Sequence, residues 1–135
     1  MEKTFDVAVL GGGPGGYVAA IRTAQLGKKT VLIEKDNVGG TCLNRGCIPT
    51  KALLYSAEVY HTVKTAADFG VDAAGVSFDY KRIASRKSAI VKKLTGGVGF
   101  LVKNAGAELI TGEGKLTDAH TITVNGDTIK AENII

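Results

Sequence analysis

The chain has 135 residues, 44% of them hydrophobic and 22% charged, a length and balance that suit one globular domain with a real core. Its 17 Lys and Arg against 13 Asp and Glu leave a net charge of +4, too mild and too dispersed for a nucleic-acid-binding or membrane-surface tract. No apolar run approaches the roughly 18 residues needed to cross a bilayer, and Met1 to Asp6 do not read as a secretory signal. The expected setting is cytoplasmic, where thiols are kept reduced.

In chain order, Phe5 to Leu10 is a short β-prone run that breaks into the glycine-rich stretch Gly11 to Gly16. Tyr17, Ala20, Ile21 and Ala24 then fall on one helical face, and Gly27 is a natural stop. Thr30 to Ile33 is a second strand ending at Glu34. Together these predict a strand–helix–strand unit of about 30 residues, the size of a parallel crossover.

Gly11, Gly13 and Gly16 match G-x-G-x-x-G in the strand-to-helix context the pattern requires. The first glycine permits the tight turn, the second lets the backbone approach a pyrophosphate, and the third lets helix and sheet pack closely. The phosphates would rest on the free N–H groups at the start of the helix. Glu34 lies where an acidic side chain accepts hydrogen bonds from an adenosine ribose, and its charge argues against a cofactor bearing a 2′-phosphate. The motif does not separate FAD from NAD. The plainer alternative is a tight turn beside a solvated acid.

Val38, Gly39 and Gly40 lead into Thr41-Cys42-Leu43-Asn44-Arg45-Gly46-Cys47-Ile48-Pro49-Thr50-Lys51. In an unbroken helix, Cys42 and Cys47 would stand about 8.5 Å apart at Cα, beyond the roughly 4.4–6.8 Å of a disulfide. Gly46 and Pro49 are expected to distort the backbone enough to bring the sulfurs together. A disulfide in such a turn would be easily reduced. Lys51, four residues after Cys47, would share its helical face and favour a nearby anion. A metal site is the weaker reading, because His61 and His120 have no ligand spacing to the cysteines. Two inert thiols are the other alternative.

Helical spacing follows through Lys51, Leu54, Glu58 and Val59. A longer helix is predicted from Asp79 toward Asn104, with Ile90, Leu94, Val98 and Leu101 as its apolar stripe and Gly96-Gly97 as the weak point in its continuity. Its cations, Lys81, Arg82, Arg86, Lys87, Lys92, Lys93 and Lys103, read as a solvated face, since no aromatics interleave them. From Glu108 the pattern turns to strands, with Asn125-Gly126 marking a tight hairpin between Thr121 to Val124 and Asp127 to Lys130. Ala131 to Ile135 reads as the start of another buried strand.

The segment from Gly39 to Leu53, with Cys42, Asn44, Gly46, Cys47, Pro49 and Lys51 in place, resembles the active-site signature of the flavin disulfide oxidoreductases. Leu43, Ile48 and Ala52-Leu53 resemble the dihydrolipoamide dehydrogenase branch more than the glutathione or mercuric reductases, and Gly11 to Ala20 is similar to the family's opening. The resemblance implies an α/β fold: a Rossmann-like FAD-binding domain with a parallel sheet and an antiparallel hairpin, stopping before its final strand. It implies FAD held along Gly11, Gly13, Gly16, Glu34, Lys35, Gly40, Thr41, Cys42, Lys51 and Gly114. It also implies that Cys42 exchanges with dihydrolipoamide and that Cys47 passes electrons to FAD, with NAD the final acceptor. Members are much longer homodimers, with NAD-binding and interface domains not present in these 135 residues, so the chain alone is expected to be inactive. Their dihydrolipoamide is carried on lipoyl domains of 2-oxoacid dehydrogenase or glycine-cleavage complexes. His61 and His120 match no catalytic position of the family and read as surface histidines.

Overall fold

A computed structural model describes residues 1–135. Strand β1 (Glu2–Leu10) runs into helix α1 (Pro14–Gln25) and returns as β2 (Thr30–Glu34). A short helix α2 (Gly40–Asn44) and a longer α3 (Cys47–Lys64) follow, then a 3₁₀ turn (Ala66–Phe69) and α4 (Tyr80–Asn104). The chain finishes with β3 (Glu108–Thr111), β4 (Lys115–Asp118), β5 (Thr121–Val124) and β6 (Asp127–Ile134).

The six strands form one sheet in the order β3-β2-β1-β6-β5-β4. The four from β3 to β6 are parallel, and β5 and β4 add antiparallel to β6. This is the α/β architecture that the alternating periods predict. The β5–β6 turn is built as expected, with Asn125 (φ 52°) and Gly126 (φ 82°) both in the left-handed region that a two-residue hairpin demands.

Val31, Leu32 and Ile33 of β2 are all fully buried, because both faces of the sheet are covered. On one face Val7, Val9 and Leu32 meet Ala20 of α1 and Val98 and Val102 of α4. On the other, Phe5, Ala8, Val31 and Ile33 cluster with Ile122, Val124 and Ile129 of the hairpin. The site described below lies where β1 and β2 end and α1 begins.

Two expectations are corrected, and the long helix holds across its glycine pair. Residues 131–134 are the second half of β6, not a further strand: β6 pairs parallel with β1 from Thr128 to Ile134, while its first half also pairs antiparallel with β5. Helix α4 runs through Gly96-Gly97 without a break for 25 residues, since packing along its length offsets the poor helix propensity of two glycines. Its buried positions are Val98 and Val102, while Leu94 and Leu101 are exposed. The face toward α1 is thus rotated from the expected stripe, with half-buried Val91 and Thr95 leading into it. Asp79 caps this helix, accepting from the backbone N–H groups of Lys81 and Arg82.

No helix is long and apolar enough to cross a membrane. None of the α4 cations is in an ion pair, and the helix contains no acid. Arg86 instead donates to Ala52 O (3.2 Å) and lies over the Tyr55 ring.

Candidate active site

Gly11 and Gly13 in the loop after β1, and Gly16 in the first turn of α1, are each there for a different physical reason. Gly11 has φ +108°, a conformation that side chains rarely adopt, and its N–H donates to Ile33 O (2.8 Å). At Gly16 a Cβ would fall 1.8 Å from Gly11 O, so only glycine lets α1 approach the loop this closely. Gly13 is different. Its φ of −69° suits any residue, and a Cβ there would meet nothing within 4 Å. Neither backbone strain nor packing calls for glycine at 13, which leaves the open space in front of it as the reason. Gly13 is also the N-cap of α1 with no side-chain cap, so the helix presents free N–H groups and the positive end of its dipole there.

Glu34 closes the other side. One carboxylate oxygen accepts from Gly12 N (2.7 Å) and the other from Asp36 N (2.9 Å), which holds the side chain at the loop rather than out in solvent. Lys35 beside it is exposed. These features fit a dinucleotide: an open glycine, an uncapped helix start for a pyrophosphate, and an anchored acid for a ribose.

The cysteine segment is joined directly to this loop. Gly39 N donates to Gly12 O (2.7 Å), and a Cβ on Gly40 would lie 2.8 Å from Gly13 Cα. Gly40 and Thr41 open α2, with Gly39 in the left-handed region (φ +101°) making the turn into it. Cys42 is half-buried within α2, and Cys47 is exposed at the first residue of α3. The break between the two helices falls at Arg45-Gly46. A side chain on Gly46 would press within 3.0 Å of Thr41 O and 3.5 Å of Cys42 Cα, so the glycine lets α3 start directly against the Cys42 turn.

Both cysteines are free thiols, one on each side of the Arg45-Gly46 break. Pro49 also bars a helix that would continue from α2, because its ring would clash with the carbonyl of Arg45, where the break falls. It sits in the first turn of α3, where its missing N–H costs nothing.

The Cys42 thiol is raised above the ordinary range, first by its hydrogen bond with Cys47, then by burial and by the charge of Cys47, and Lys51 pulls in the opposite direction. A raised thiol keeps its proton longer in the folded chain. The stability this interaction supplies is therefore present below the ordinary thiol range and lost as pH rises through the folded value. Cys47 opens α3 and is the more exposed of the two thiols. Alkylation of the reduced chain near neutral pH is expected to label Cys47 first, and Cys42 to follow only as pH rises. Mass mapping of the labelled peptides against pH checks this order.

Gly114, in the turn between β3 and β4, is required by packing, since a Cβ would meet Leu10, Ile33 and Ile122 at 2.6–3.2 Å. His61 is exposed near the end of α3, and exposed His120 has Nδ1 3.2 Å from Ala131 O. A groove of about 660 Å³, lined by Tyr55, Val59, Tyr60 and Phe78 among others, lies between α3 and α4 and includes neither the cysteines nor the glycine loop. Sequence reasoning had missed the anchoring of Glu34 by Gly12 N and the carbonyl contacts of Asn44. Both are backbone contacts that no spacing rule encodes.

The family model for pyridine nucleotide-disulphide oxidoreductases matches residues 5–135. A dihydrolipoyl dehydrogenase of Acholeplasma laidlawii is 52% identical over 136 residues, which takes in 100% of this chain and 40% of that protein. The Bacillus subtilis dihydrolipoyl dehydrogenase is 50% identical over 132 residues, 98% of this chain and 28% of its own. The mitochondrial dihydrolipoyl dehydrogenase of Schizosaccharomyces pombe is 48% identical over 139 residues, 97% of this chain and 27% of its own. The chain thus spans less than half the length of these relatives. With its glycine loop, anchored acid and apposed cysteines, the chain belongs to the pyridine nucleotide-disulphide oxidoreductase family.

Proposed function

We propose that this chain forms the FAD and disulfide half-site of a dihydrolipoyl dehydrogenase. Gly11, Gly13 and Gly16 would receive the pyrophosphate, Glu34 with Lys35 the adenosine ribose, and Gly40, Thr41, Cys42, Lys51 and Gly114 would line the rest of the cofactor. FAD supplies acceptance of two electrons from a dithiol and their delivery to NAD. The chain's own residues do the sulfur chemistry: Cys42 exchanges with dihydrolipoamide, Cys47 completes the exchange, and Lys51 favours the anion that forms. The dithiol would arrive on lipoyl domains of 2-oxoacid dehydrogenase or glycine-cleavage complexes, in the cytoplasm, with NAD served by the part of the relatives' length that this chain does not span and the whole acting as a homodimer.

The observation that carries this reading is Gly13, open for a ligand and in contact with Gly40 at the head of the helix that holds Cys42. Because the chain covers 40% or less of the relatives above, we assign the isolated 135 residues cofactor binding rather than turnover.

The assignment of Cys42 to exchange requires that Cys47, the more exposed thiol here, be covered once FAD is bound. Saturating FAD is therefore expected to protect Cys47 from alkylation and make Cys42 the first residue labelled. If FAD leaves the labelling order unchanged, the proposed roles of the two thiols are wrong.

A further inference from the structure

Asn44 has no part in the exchange or the cofactor contacts proposed above, yet its side chain makes more hydrogen bonds than any other in the cysteine segment. Its Nδ2 lies 2.9 Å from Gly40 O, 3.2 Å from Val38 O and 3.3 Å from Asn37 O, so two N–H donors are shared among three carbonyls. Asn37 and Val38 belong to the turn that leaves β2, whereas Asn44 is the last residue of α2. The contact folds the end of the Cys42 helix back onto the turn that precedes it. That turn is itself fixed to the dinucleotide loop through Gly39 N and Gly12 O.

The helix needs this support. Five residues are too few for a helix to hold itself, and its N-cap, Gly39, offers no side chain. Directly after Asn44 comes the Arg45-Gly46 joint, and then Cys47. A shift of α2 would therefore move Cys42 relative to Cys47.

We infer that Asn44 is a positioning residue for the disulfide: its carboxamide clamps α2 onto the β2–α2 turn and so sets the approach of Cys42 to Cys47. The inference rests on the cysteine pair being redox-active, as proposed above. Held together, the two sulfurs have a high effective concentration, which favours the closed disulfide. Asn44→Asp keeps the shape but replaces the donors with oxygens facing three carbonyls.

The test is the thiol–disulfide equilibrium of the full 135-residue chain in dithiothreitol redox buffers, with thiols trapped by alkylation and counted by mass. In the exchange, oxidised dithiothreitol takes the two thiol hydrogens and the electron pair, becoming a dithiol as the Cys42–Cys47 bond forms. The unaltered chain is expected to titrate as a single intrachain pair. N44D is expected to lower the equilibrium constant for closing the disulfide by about tenfold, the scale of one lost hydrogen bond. N44S, which retains a hydroxyl donor, is expected to fall between the two and carries the test should N44D fail to fold. R45A removes only the exposed ion pair with Asp36 in the same turn and is expected to stay within about twofold. Melting temperatures that fall for N44D and N44S while their redox midpoints stay with the unaltered chain would overturn the inference and leave Asn44 a structural residue. An unaltered chain that forms no intrachain disulfide would overturn the proposed function, and this inference with it.

Discussion

Gly13→Ala is expected to leave the fold intact and to weaken FAD binding by about 10- to 100-fold, the equivalent of a steric penalty of about 1–3 kcal/mol. The added methyl meets no protein atom within 4 Å, and the backbone at 13 already has dihedrals that alanine adopts freely. Its only possible conflict is with something that occupies the space in front of the loop. Gly16→Ala is the contrasting case. There the methyl would sit 1.8 Å from a backbone carbonyl that no side-chain rotation can move, and α1 would have to lift from the end of β1. That variant is expected to lose about 3 kcal/mol of stability, the upper end of ordinary overpacking, along with its cofactor. Denaturant unfolding paired with FAD titration separates the two. A Gly13→Ala chain that binds FAD as tightly as the unaltered one would remove the strongest argument for a dinucleotide here.

Replacing Cys47 with serine is expected to abolish intrachain disulfide formation and to cut dithiol oxidation in the assembled enzyme by roughly three orders of magnitude or more. The two single variants are also expected to differ in kind. In Cys47→Ser, Cys42 retains a thiol that attacks a disulfide substrate but has no partner to release it, so a mixed disulfide accumulates on Cys42. In Cys42→Ser, the remaining thiol at 47 would lie against the cofactor and accumulate far less. Intact mass after exposure of the FAD-loaded chains to a linear disulfide, whose leaving thiol departs into solution and cannot reclose a ring, reads this directly. Equal trapping in both variants would contradict the division of roles between the two sulfurs.

The sequence made the α/β unit legible because each of its parts has a short-range physical cause. A strand, an obligatory turn at Gly11, a helix face of Tyr17, Ala20, Ile21 and Ala24, and a second strand all lie within about 30 residues. The observed cluster places Ala20 in the core with the other three packed against it. Asn125-Gly126 was legible for the same reason, since φ > 0 at both positions is a local demand. What escaped sequence reasoning depends on partners far along the chain. Ala131 to Ile135 reads as a new strand because nothing local reveals that β6 outruns its antiparallel partner β5 while staying paired with the parallel β1. The buried face of α4 was misplaced because Leu94 and Leu101 are as apolar as Val98, and only the positions of α1 and β3 decide which side turns inward.

At the candidate site the chemistry-bearing residues were readable and their connections were not. Gly11 and Gly16 have the backbone and packing that their spacing requires, and Cys42 and Cys47 flank the break between α2 and α3. The break falls at Arg45-Gly46, where Gly46 admits the close approach and the ring of Pro49, four residues after Arg45, bars a continuing helix. The links from Gly12 to Glu34 and Gly39, and from Asn44 to three carbonyls, run through backbone atoms that the residue code leaves unspecified.

The central claim is that the cysteine pair and the dinucleotide loop serve one bound flavin. Its most direct test is the visible absorption spectrum of the FAD-loaded chain during an anaerobic titration with a dithiol. The account predicts that reduction of the pair brings in a long-wavelength absorption, as a thiolate against the isoalloxazine ring produces, and that Cys47→Ser lacks it. Thiols that reduce fully while the flavin spectrum stays unchanged would show that the cysteines do not face the cofactor, and would contradict the account.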